Sequence, residues 1–328
     1  MTDRTRRAFL GSAAAATAGL AVAPLATPPA QAAAPATGKQ APGFYRFKLG
    51  NLEVAVVSDG ARPRPIYDGL VRNASKDQVL AAAEAAFMPK GNFISHFNPI
   101  VVNTGTKLVL IDTGFGPRTG PTVGLLPSTL AAAGIDPKTI DIVLISHMHG
   151  DHILGLKTLD GALAFPNAEI KVPAKDWAFW MNDDNVAKAS DDFTKSTFEF
   201  NRAVFHGIES NVTRYEWEEE IASGITAIDT NGHTPGHTSF VLASGSDRIL
   251  VQGDVTNVPA LFLRNPHWHI IFDHDPEQAA RTRRRFLDMA SVEKALVAGY
   301  HFPFPGLGYV EKDGPGYRLV PALWVPWL

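Results

Sequence analysis

The run His-Met-His-Gly-Asp-His at residues 147–152 constrains the fold more than any other part of the sequence, because it offers three imidazoles and a carboxylate within six residues. It directly follows residues 142–145, a continuous apolar run that is typical of a strand buried on both faces. We therefore predict that this strand delivers His147 at its C-terminal end. Loops at strand ends converge at one edge of a sheet, where side chains from distant segments can bind the same cation.

Three other stretches place a candidate ligand directly after a β-type run: residues 231–237, 253–254 and 300–301. Together with the four candidates in the 147–152 run they raise the number of ligands to seven, by adding His233, Asp254 and His301. A tetrahedral metal site needs only four ligands, so seven indicate two metal ions. The 328 residues contain no cysteine, and His and carboxylate groups must therefore hold any metal.

The charge of the chain argues against nucleic acid as a partner. The formal net charge is −3, and binding to phosphate backbones requires clustered Lys and Arg. The densest basic stretch lies at residues 281–285, within a helix-like segment after Pro276, and we interpret it as a solvated helix face. We therefore expect a small-molecule substrate.

The N-terminus has the pattern of a signal peptide, with a basic segment, an Ala-rich apolar stretch and small residues suitable for cleavage. Residues 5–10 resemble the twin-arginine export motif, and Ala-Gln-Ala at 30–32 has the form of a signal peptidase site. An uncleaved anchor is the alternative, but the stretch is weakly apolar and interrupted by Pro24. We expect a periplasmic or secreted protein without stable membrane insertion, divided into a twin-arginine signal peptide (1–34), a linker (35–43) and one domain (44–328).

The predicted domain interleaves short strands with helices, which implies layered α and β elements. The strands are predicted at residues 45–49, 52–58, 100–103, 108–111, 142–145, 225–228, 239–242 and 248–251, with a last strand at 295–298. The helices are predicted at residues 76–87, 130–133 and 277–290 and within the aromatic segment 176–206.

The motif His-x-His-x-Asp-His, with the later His, Asp and His, resembles the metallo-β-lactamase fold superfamily over nearly all of the predicted domain. Three more motifs occur in the family's order and spacing: Leu-Ile-Asp-Thr-Gly at 110–114, Gly-His-Thr-Pro-Gly-His at 232–237 and Gly-Asp at 253–254. The resemblance implies an α/β (α+β) fold, a four-layer αββα sandwich. Residues 58–60, 163–168 and 301–306 resemble in particular the exported branch that contains methyl parathion hydrolase and related quorum-quenching lactonases.

The resemblance also implies a division of the ligands between the metals. It assigns His147, His149 and His233 to one metal and Asp151, His152 and His301 to the other, with Asp254 as the bridge. It makes Asp112 the carboxylate that orients a metal-bound imidazole, with a turn Asp before Gly114 as the alternative. The first His of residues 233–237 matches the family's ligand, so we expect His237 to support the site rather than to bind metal.

Two cations about 3.5–4 Å apart can share a bridging water and lower its pKa, so that hydroxide is available near neutral pH. One cation would polarise the carbonyl or phosphoryl oxygen of the substrate, and no Ser or Cys nucleophile is needed. The resemblance makes Asp151 a candidate to pass a proton to the leaving alkoxide. Asp254 is the other predicted catalytic residue, as the bridge between the metals. We expect two divalent ions, by default Zn²⁺, with Mn²⁺, Co²⁺ or Fe²⁺ as alternatives.

The resemblance predicts a lactone or carboxylic ester as substrate, with organophosphate triesters as a side activity. The candidate pocket residues are Phe115, Thr119, Trp180, Thr197 and Asn257. Asn257 stands where many lactonases have a Tyr that stabilises the substrate oxyanion, while Thr119 and Thr197 stand where methyl parathion hydrolase has aromatic residues. The main alternative is a phosphotriesterase resembling methyl parathion hydrolase.

The same fold leaves two different classes of protein open. A sulfur dioxygenase with one iron would need only the first ligand group, and a non-catalytic metal-binding module would not need all seven ligands. A β-lactam is a further conceivable substrate, because a strained amide is open to the same hydroxide. The family resemblance also suggests a homodimer, to which the apolar C-terminus at residues 321–328 could contribute.

Overall fold

The computed structural model describes residue 38, residues 40–118 and residues 120–328. The predicted signal peptide therefore lies outside the described residues, as do part of the predicted linker and Thr119. Pro42–Leu328 forms one compact unit. Within the described part of the chain, no helix is both long and apolar enough to span a bilayer.

The first sheet and a separate hairpin come from the first nine strands of the described chain. These are β1 (Phe44–Leu49), β2 (Leu52–Val57), β3 (Gly60–Pro65), β4 (Asn92–Phe97), β5 (Ile100–Asn103), β6 (Leu108–Ile111), β7 (Ile142–Leu144), β8 (Glu169–Pro173) and β9 (Val212–Tyr215). The first sheet has the order β1-β2-β5-β6-β7-β8-β9, and β3 pairs with β4 in the hairpin. Strands β6 to β9 run parallel, so their carboxyl ends meet at one edge.

The second sheet uses the next seven strands in chain order. These are β10 (Glu220–Ala222), β11 (Ile225–Asp229), β12 (Thr238–Ser244), β13 (Asp247–Val251), β14 (Leu296–Ala298), β15 (Leu307–Asp313) and β16 (Gly316–Pro321). Its pairs are antiparallel except for β13 and β14, whose parallel pairing places the loops after both strands side by side.

The helices of the described chain connect these strands. They are α1 (Lys76–Ala85), α2 (Leu126–Ala132), α3 (Gly150–Ile153), α4 (Ala174–Trp180), α5 (Asp183–Lys188), α6 (Asp192–Phe205), α7 (Pro259–Phe262) and α8 (Pro276–Glu293). Single turns of 3-10 helix occur at Gly116–Arg118, Pro137–Thr139, Leu154–Leu156 and Glu209–Asn211.

The strand periodicity of two produces the layers of the sandwich, as β2 illustrates. Val54 and Val56 face the second sheet, whereas Ala55 and Val57 face the helices on the other side of the first sheet. On the outer face of the second sheet, Leu250 packs in a cluster with residues of α8. Helices cover both outer faces, and the predicted αββα arrangement is confirmed.

The prediction that residues 295–298 form the last strand is wrong, because β15 and β16 follow and complete the second sheet. The Pro-rich stretch after His301 is the turn that leads into β15. The β3–β4 hairpin was not predicted either. Pro63 and Pro65 lack the N–H that strand pairing uses, and such strands are confined to edges and small sheets.

Candidate metal centre

The first group of candidate ligands consists of His147, His149 and His233, all of which are buried. His147 lies in the loop after β7, His149 precedes α3, and His233 lies between β11 and β12. Nε2 of His147 lies 3.1 Å from Nδ1 of His149, and that atom lies 3.0 Å from Nε2 of His233. Three nitrogen donors converge on one point, as a tetrahedral cation requires.

The second group consists of Asp151, His152 and His301. Asp151 and His152 belong to α3, and His301 follows β14. Oδ2 of Asp151 lies 3.8 Å from Nε2 of His152 and 3.6 Å from Nε2 of His301. The two groups are therefore built in the same way, with two donors from the first sheet and one from the second.

Asp254, in the loop after β13, lies between the two groups. Its Oδ2 lies 3.3 Å from Nε2 of His233 and 2.9 Å from Nε2 of His301, and its Oδ1 lies 3.3 Å from Nε2 of His152. One carboxylate thus faces ligands of both groups. This is the position that the sequence prediction gave to a bridging residue.

The donor atoms fit divalent cations. Nε2 of His152 and Oδ1 of Asp254 are buried, and neither has a hydrogen-bond partner among the described residues. Buried polar atoms without a partner are rare, because desolvation costs free energy that no contact returns. Lone pairs of nitrogen and oxygen that converge in this way suit Zn²⁺, Mn²⁺, Co²⁺ or Fe²⁺.

Polar partners behind the imidazoles fix which ring nitrogen points inward. Nδ1 of His152 donates to Asp112, at 2.8 Å, and Nδ1 of His233 donates to Asp273, at 2.7 Å. Nδ1 of His301 donates to the backbone oxygen of His96, at 2.7 Å. In the neutral form of each ring the outer nitrogen carries the proton, and Nε2 has a lone pair for a cation.

Asp112 occupies a left-handed backbone position, with φ 61°, directly after β6. Asp is one of the residues that tolerate this conformation. Besides His152, it accepts the backbone N–H of Ser146 at 2.8 Å and the Ser146 hydroxyl at 2.8 Å. The structure thus places Asp112 where the sequence prediction required it, against a ring of the second group and the start of the ligand loop.

Asp176, in α4, connects the two ligand loops and was missed by the sequence analysis. Its carboxylate accepts the backbone N–H groups of Met148 at 2.8 Å and Gly236 at 2.6 Å, and the hydroxyl of Thr234 at 2.9 Å. Burial raises its pKa to about 6, although these hydrogen bonds oppose the shift. In the sequence Asp176 is one of several acidic residues in the aromatic segment 176–206, and nothing beside it marks it as part of the site.

His237 holds the Asp254 loop through both of its ring nitrogens. Nε2 accepts the backbone N–H of Asp254 at 2.9 Å, and Nδ1 donates to the backbone oxygen of Thr230 at 3.0 Å. Burial, reinforced by the nearby His233, lowers the pKa of His237 to about 3. The ring is therefore neutral, and neither nitrogen has a lone pair left for a metal.

Carboxylates of the site oppose the effect of burial on the pKa of two of the imidazoles. Burial lowers the pKa of His233, but hydrogen bonds to Asp254 and Asp273 outweigh it and raise the pKa to about 9. His152 behaves alike, because Asp112 and Asp254 raise its pKa well above 6.5 against the effect of burial. For His147, burial dominates and lowers the pKa far below 6.5.

A cavity of about 510 Å³ opens onto the candidate ligands. Its floor contains His149, Asp151, His233, Asp254 and His301. Its apolar wall comprises Phe115, Leu154, Phe193, Phe200, Ala203, Val204 and Phe272, and its cationic lining comprises Arg62, Arg64 and Lys157. A volume of this size accommodates a small organic substrate whose apolar part lies against aromatic rings.

The predicted pocket residues divide between two cavities. Phe115, Thr197 and Asn257 line the 510 Å³ cavity, whereas Trp180 lines a neighbouring cavity of about 310 Å³ that shares His149 with it. Trp180 is only 1% exposed, and its ring packs at 4.9 Å from that of Phe198. Thr119 lies outside the described residues. The two arginines of the cavity were not predicted from the sequence, because nothing nearby in the chain marks them as functional.

Residues 98–301 match the family model of the metallo-beta-lactamase superfamily. The matched range contains all seven candidate ligands and Asp112. One relative, an uncharacterized protein YobT of Bacillus subtilis (strain 168), is 29% identical over 117 residues. That match covers 36% of this chain and 46% of the relative, so the chain spans less than half of its length.

Solved structures share the whole architecture. The hydrolase AbOPH of the beta lactamase superfamily is 28% identical with a TM-score of 0.82, covering 88% of this chain and 100% of that chain. AidC, a dizinc quorum-quenching lactonase in complex with a product, is 24% identical with a TM-score of 0.78, covering 86% and 98%. A probable metal-dependent hydrolase from Staphylococcus aureus is 23% identical with a TM-score of 0.68, covering 85% and 100%. The last two similarities concern the fold alone.

Proposed function

The chain belongs to the metallo-beta-lactamase superfamily, and we propose that it is a dinuclear metal-dependent hydrolase that opens lactones or cleaves carboxylic esters. The observation that carries the proposal is the position of Asp254, which faces both ligand groups at the floor of a largely apolar cavity. A single metal would leave one of these groups without a function. The similarity to AbOPH supports the assignment to the hydrolases.

The seven side chains would hold the ions in two sets that share Asp254. The sets are His147, His149 and His233 on one side, and Asp151, His152 and His301 on the other. When bound, two divalent cations would polarise the substrate oxygen and make hydroxide available near neutral pH. Because the chain supplies only N and O donors, we propose Zn²⁺ as the default pair of ions.

The chain itself positions the substrate and provides for the movement of a proton. Asp151 borders the cavity, and its carboxylate is the group we propose to carry a proton to the leaving alkoxide. Tyr300 donates its hydroxyl hydrogen to the backbone oxygen of Asp151, and burial raises the pKa of that phenol well above 10. The phenol therefore stays a donor and holds α3 in place. Phe115 and Leu154 keep water from the apolar part of the substrate.

The Asp254→Ala variant tests the dinuclear assignment. We expect the purified wild-type chain to contain two ions per molecule by mass spectrometry of metals, and the variant to lose at least one of them together with lactone and ester turnover. Asp313→Ala, at the exposed end of β15, is the matched control and should retain both ions and full activity. Two ions and near-normal turnover in Asp254→Ala would refute the bridging role.

A substrate screen tests the proposed reaction. The metal-loaded protein would be assayed with acyl-homoserine lactones, aryl esters and a methyl phosphotriester, because lactonases share this fold and the superfamily resemblance includes phosphotriesterases. We expect the highest kcat/KM for a lactone or a carboxylic ester. A clear preference for the phosphotriester would overturn this ranking, and one bound iron without hydrolysis would favour an oxygenase.

Two expectations from the sequence stay predictions. Export through the twin-arginine route depends on residues outside the described part of the chain. Homodimer formation agrees with the exposed apolar C-terminus, where Leu323 is 88% and Trp324 is 70% exposed.

A further inference from the structure

The arginines Arg62 and Arg64 project from β3 into the cavity that contains the candidate metal ligands. Two residues apart on one strand, they lie on the same face of the β3–β4 hairpin. Arg62 is directly opposite Ser95 on β4, and the hydroxyl of Ser95 lies 3.5 Å from Nδ1 of the candidate ligand His301. One end of this cationic pair is therefore adjacent to the floor of the cavity.

Neither guanidinium has a hydrogen bond or an ion pair with any of the residues described, and Nε of Arg64 is buried without a partner. Burial and the neighbouring charge of Arg64 lower the pKa of Arg62 below its usual value. The charge of Asp151 on the cavity floor acts against this shift, but Asp151 forms no ion pair with either guanidinium, and the chain places two partly desolvated cations side by side. Such an arrangement costs free energy unless a ligand supplies the negative charge.

Aromatic rings hold both guanidiniums in place. The Cζ of Arg62 lies 4.5 Å from the ring centroid of Phe115, and the Cζ of Arg64 lies 5.5 Å from that of Phe272. Contacts with ring faces orient a guanidinium but leave its N–H groups free to donate. Lys157, the third cation of the cavity, is already engaged, because its Nζ donates to the backbone oxygen of His206 at 2.7 Å. Of the three cations of the cavity, the two arginines are therefore the ones whose N–H groups make no hydrogen bond to the described residues.

We propose that Arg62 and Arg64 form a carboxylate-binding subsite, so that the preferred substrate is an ester or lactone with a carboxylate at the far end of its acyl chain. The proposal rests on the proposed hydrolase function and narrows its substrate class. The planar fork of a guanidinium matches a carboxylate with two parallel hydrogen bonds. The carboxylate binds at the hairpin while the apolar spacer lies along Phe115 and Phe272 and the scissile carbonyl reaches the floor.

A matched pair of chromogenic substrates tests the subsite. One is the mono-4-nitrophenyl ester of suberic acid, and the other is the same ester with its free carboxyl group methylated. We expect the wild-type holoenzyme to have a kcat/KM for the anionic ester that exceeds that for the neutral ester by roughly tenfold or more, as charge-assisted hydrogen bonds allow. Shorter and longer diacids should show an optimum in spacer length, which a diffuse attraction for anions would not produce.

The variants Arg62→Met and Arg64→Met keep the apolar stem against the rings and remove the charge. We expect each to lower kcat/KM for the anionic ester by a much larger factor than kcat/KM for the neutral ester. Arg281→Met, on the exposed face of α8, makes the same change in net charge and is the control. An equal loss for both esters would assign the arginines a structural role, and the same selective loss in Arg281→Met would reduce the effect to bulk charge. Either result overturns the proposal.

Binding can be measured without turnover. The N-methyl monoamide of suberic acid keeps the carboxylate and the spacer but resists hydrolysis, and its Kd can be determined by calorimetry. We expect Arg62→Met to weaken this binding by roughly tenfold. Hydrolysis of the neutral ester without any preference for the anionic one would refute the subsite alone. Absence of hydrolysis of both esters and of every lactone in the substrate screen, in a protein with two bound ions, would instead refute the proposed function.

Discussion

Asp112 and Asp273 support rings of different ligand groups, and this leads to our most detailed prediction. Asp112 accepts from His152 of the second group, and Asp273 accepts from His233 of the first. Asp112→Asn keeps the size of the side chain but removes its negative charge. In the wild type that charge polarises the imidazole and increases its affinity for a cation. Loss of such a partner costs about 10–100-fold in metal affinity, or about 1.4–2.7 kcal/mol.

We therefore expect Asp112→Asn to weaken binding of the ion held by the second group and Asp273→Asn to weaken binding of the ion held by the first group. Titration with a competing chelator, followed by mass spectrometry of the remaining ions, measures the two affinities separately. The His301→Ala variant removes a ligand of the second group, and it therefore shows which of the two affinities belongs to that group. If Asp112 and His301 act on the same ion, the double variant Asp112→Asn, His301→Ala should bind metal little less tightly than His301→Ala alone. The effects of Asp273→Asn and His301→Ala on metal affinity should instead be additive.

Ser146→Ala is the matched control for Asp112→Asn. Its hydroxyl contacts both Asp112 and Nδ1 of His147, at 2.8 and 3.1 Å, so Asp112 has an indirect path to the first group. The control removes that path and keeps the contact between Asp112 and His152. The assignment of each aspartate to one ion is refuted if Asp112→Asn releases both ions with equal ease, or if Asp112→Asn and Asp273→Asn weaken binding of the same ion.

The raised pKa values of His233 and Asp59 make metal binding and stability depend on pH. Because the pKa of His233 is raised to about 9, we expect ion binding near pH 7 to release protons and to strengthen as pH rises, which calorimetry in buffers of different ionisation enthalpy measures; unchanged heats would contradict it. Burial also raises the pKa of Asp59 from 3.8 to about 6, so the folded state keeps a proton that the unfolded chain loses between these values. The stability of the wild type relative to Asp59→Asn should fall by about 3 kcal/mol as pH rises through this window, and parallel thermal unfolding curves would disprove that.

Residues of the site were predicted from the sequence where they belong to a short motif, and they were missed where they do not. The ligands lie in short motifs after strands, and the positions of His147, Asp254 and His301 follow from strand ends that meet at one edge of the sandwich. Asp176 and Asp273 belong to none of these motifs, and their role depends on loops that approach them from distant parts of the chain. A local sequence pattern does not reveal contacts between residues that are far apart in the chain.

Strands were predicted where the hydrophobic pattern of the sequence is strong, and they were missed where it is weak. Strands β5 and β6 have the predicted bounds, because they are apolar and buried from both sides. Strand β3 contains two prolines, and β15 alternates toward an exposed end, so both depend on a neighbouring strand rather than on their own composition. The Arg62 and Arg64 pair was overlooked along with its strand.

Each candidate ion takes donors from both sheets, since His147 to His152 follow β7 whereas His233, Asp254 and His301 follow strands of the second sheet. An ion bound there would crosslink the two halves of the sandwich between residues that are far apart in the chain. Binding to the folded state alone adds stability, about 2.7 kcal/mol when free ion exceeds its Kd 100-fold. We therefore expect the lifetime of the protein against proteolysis to follow its metal content, so that a molecule without its ions would be cleared sooner than an active one.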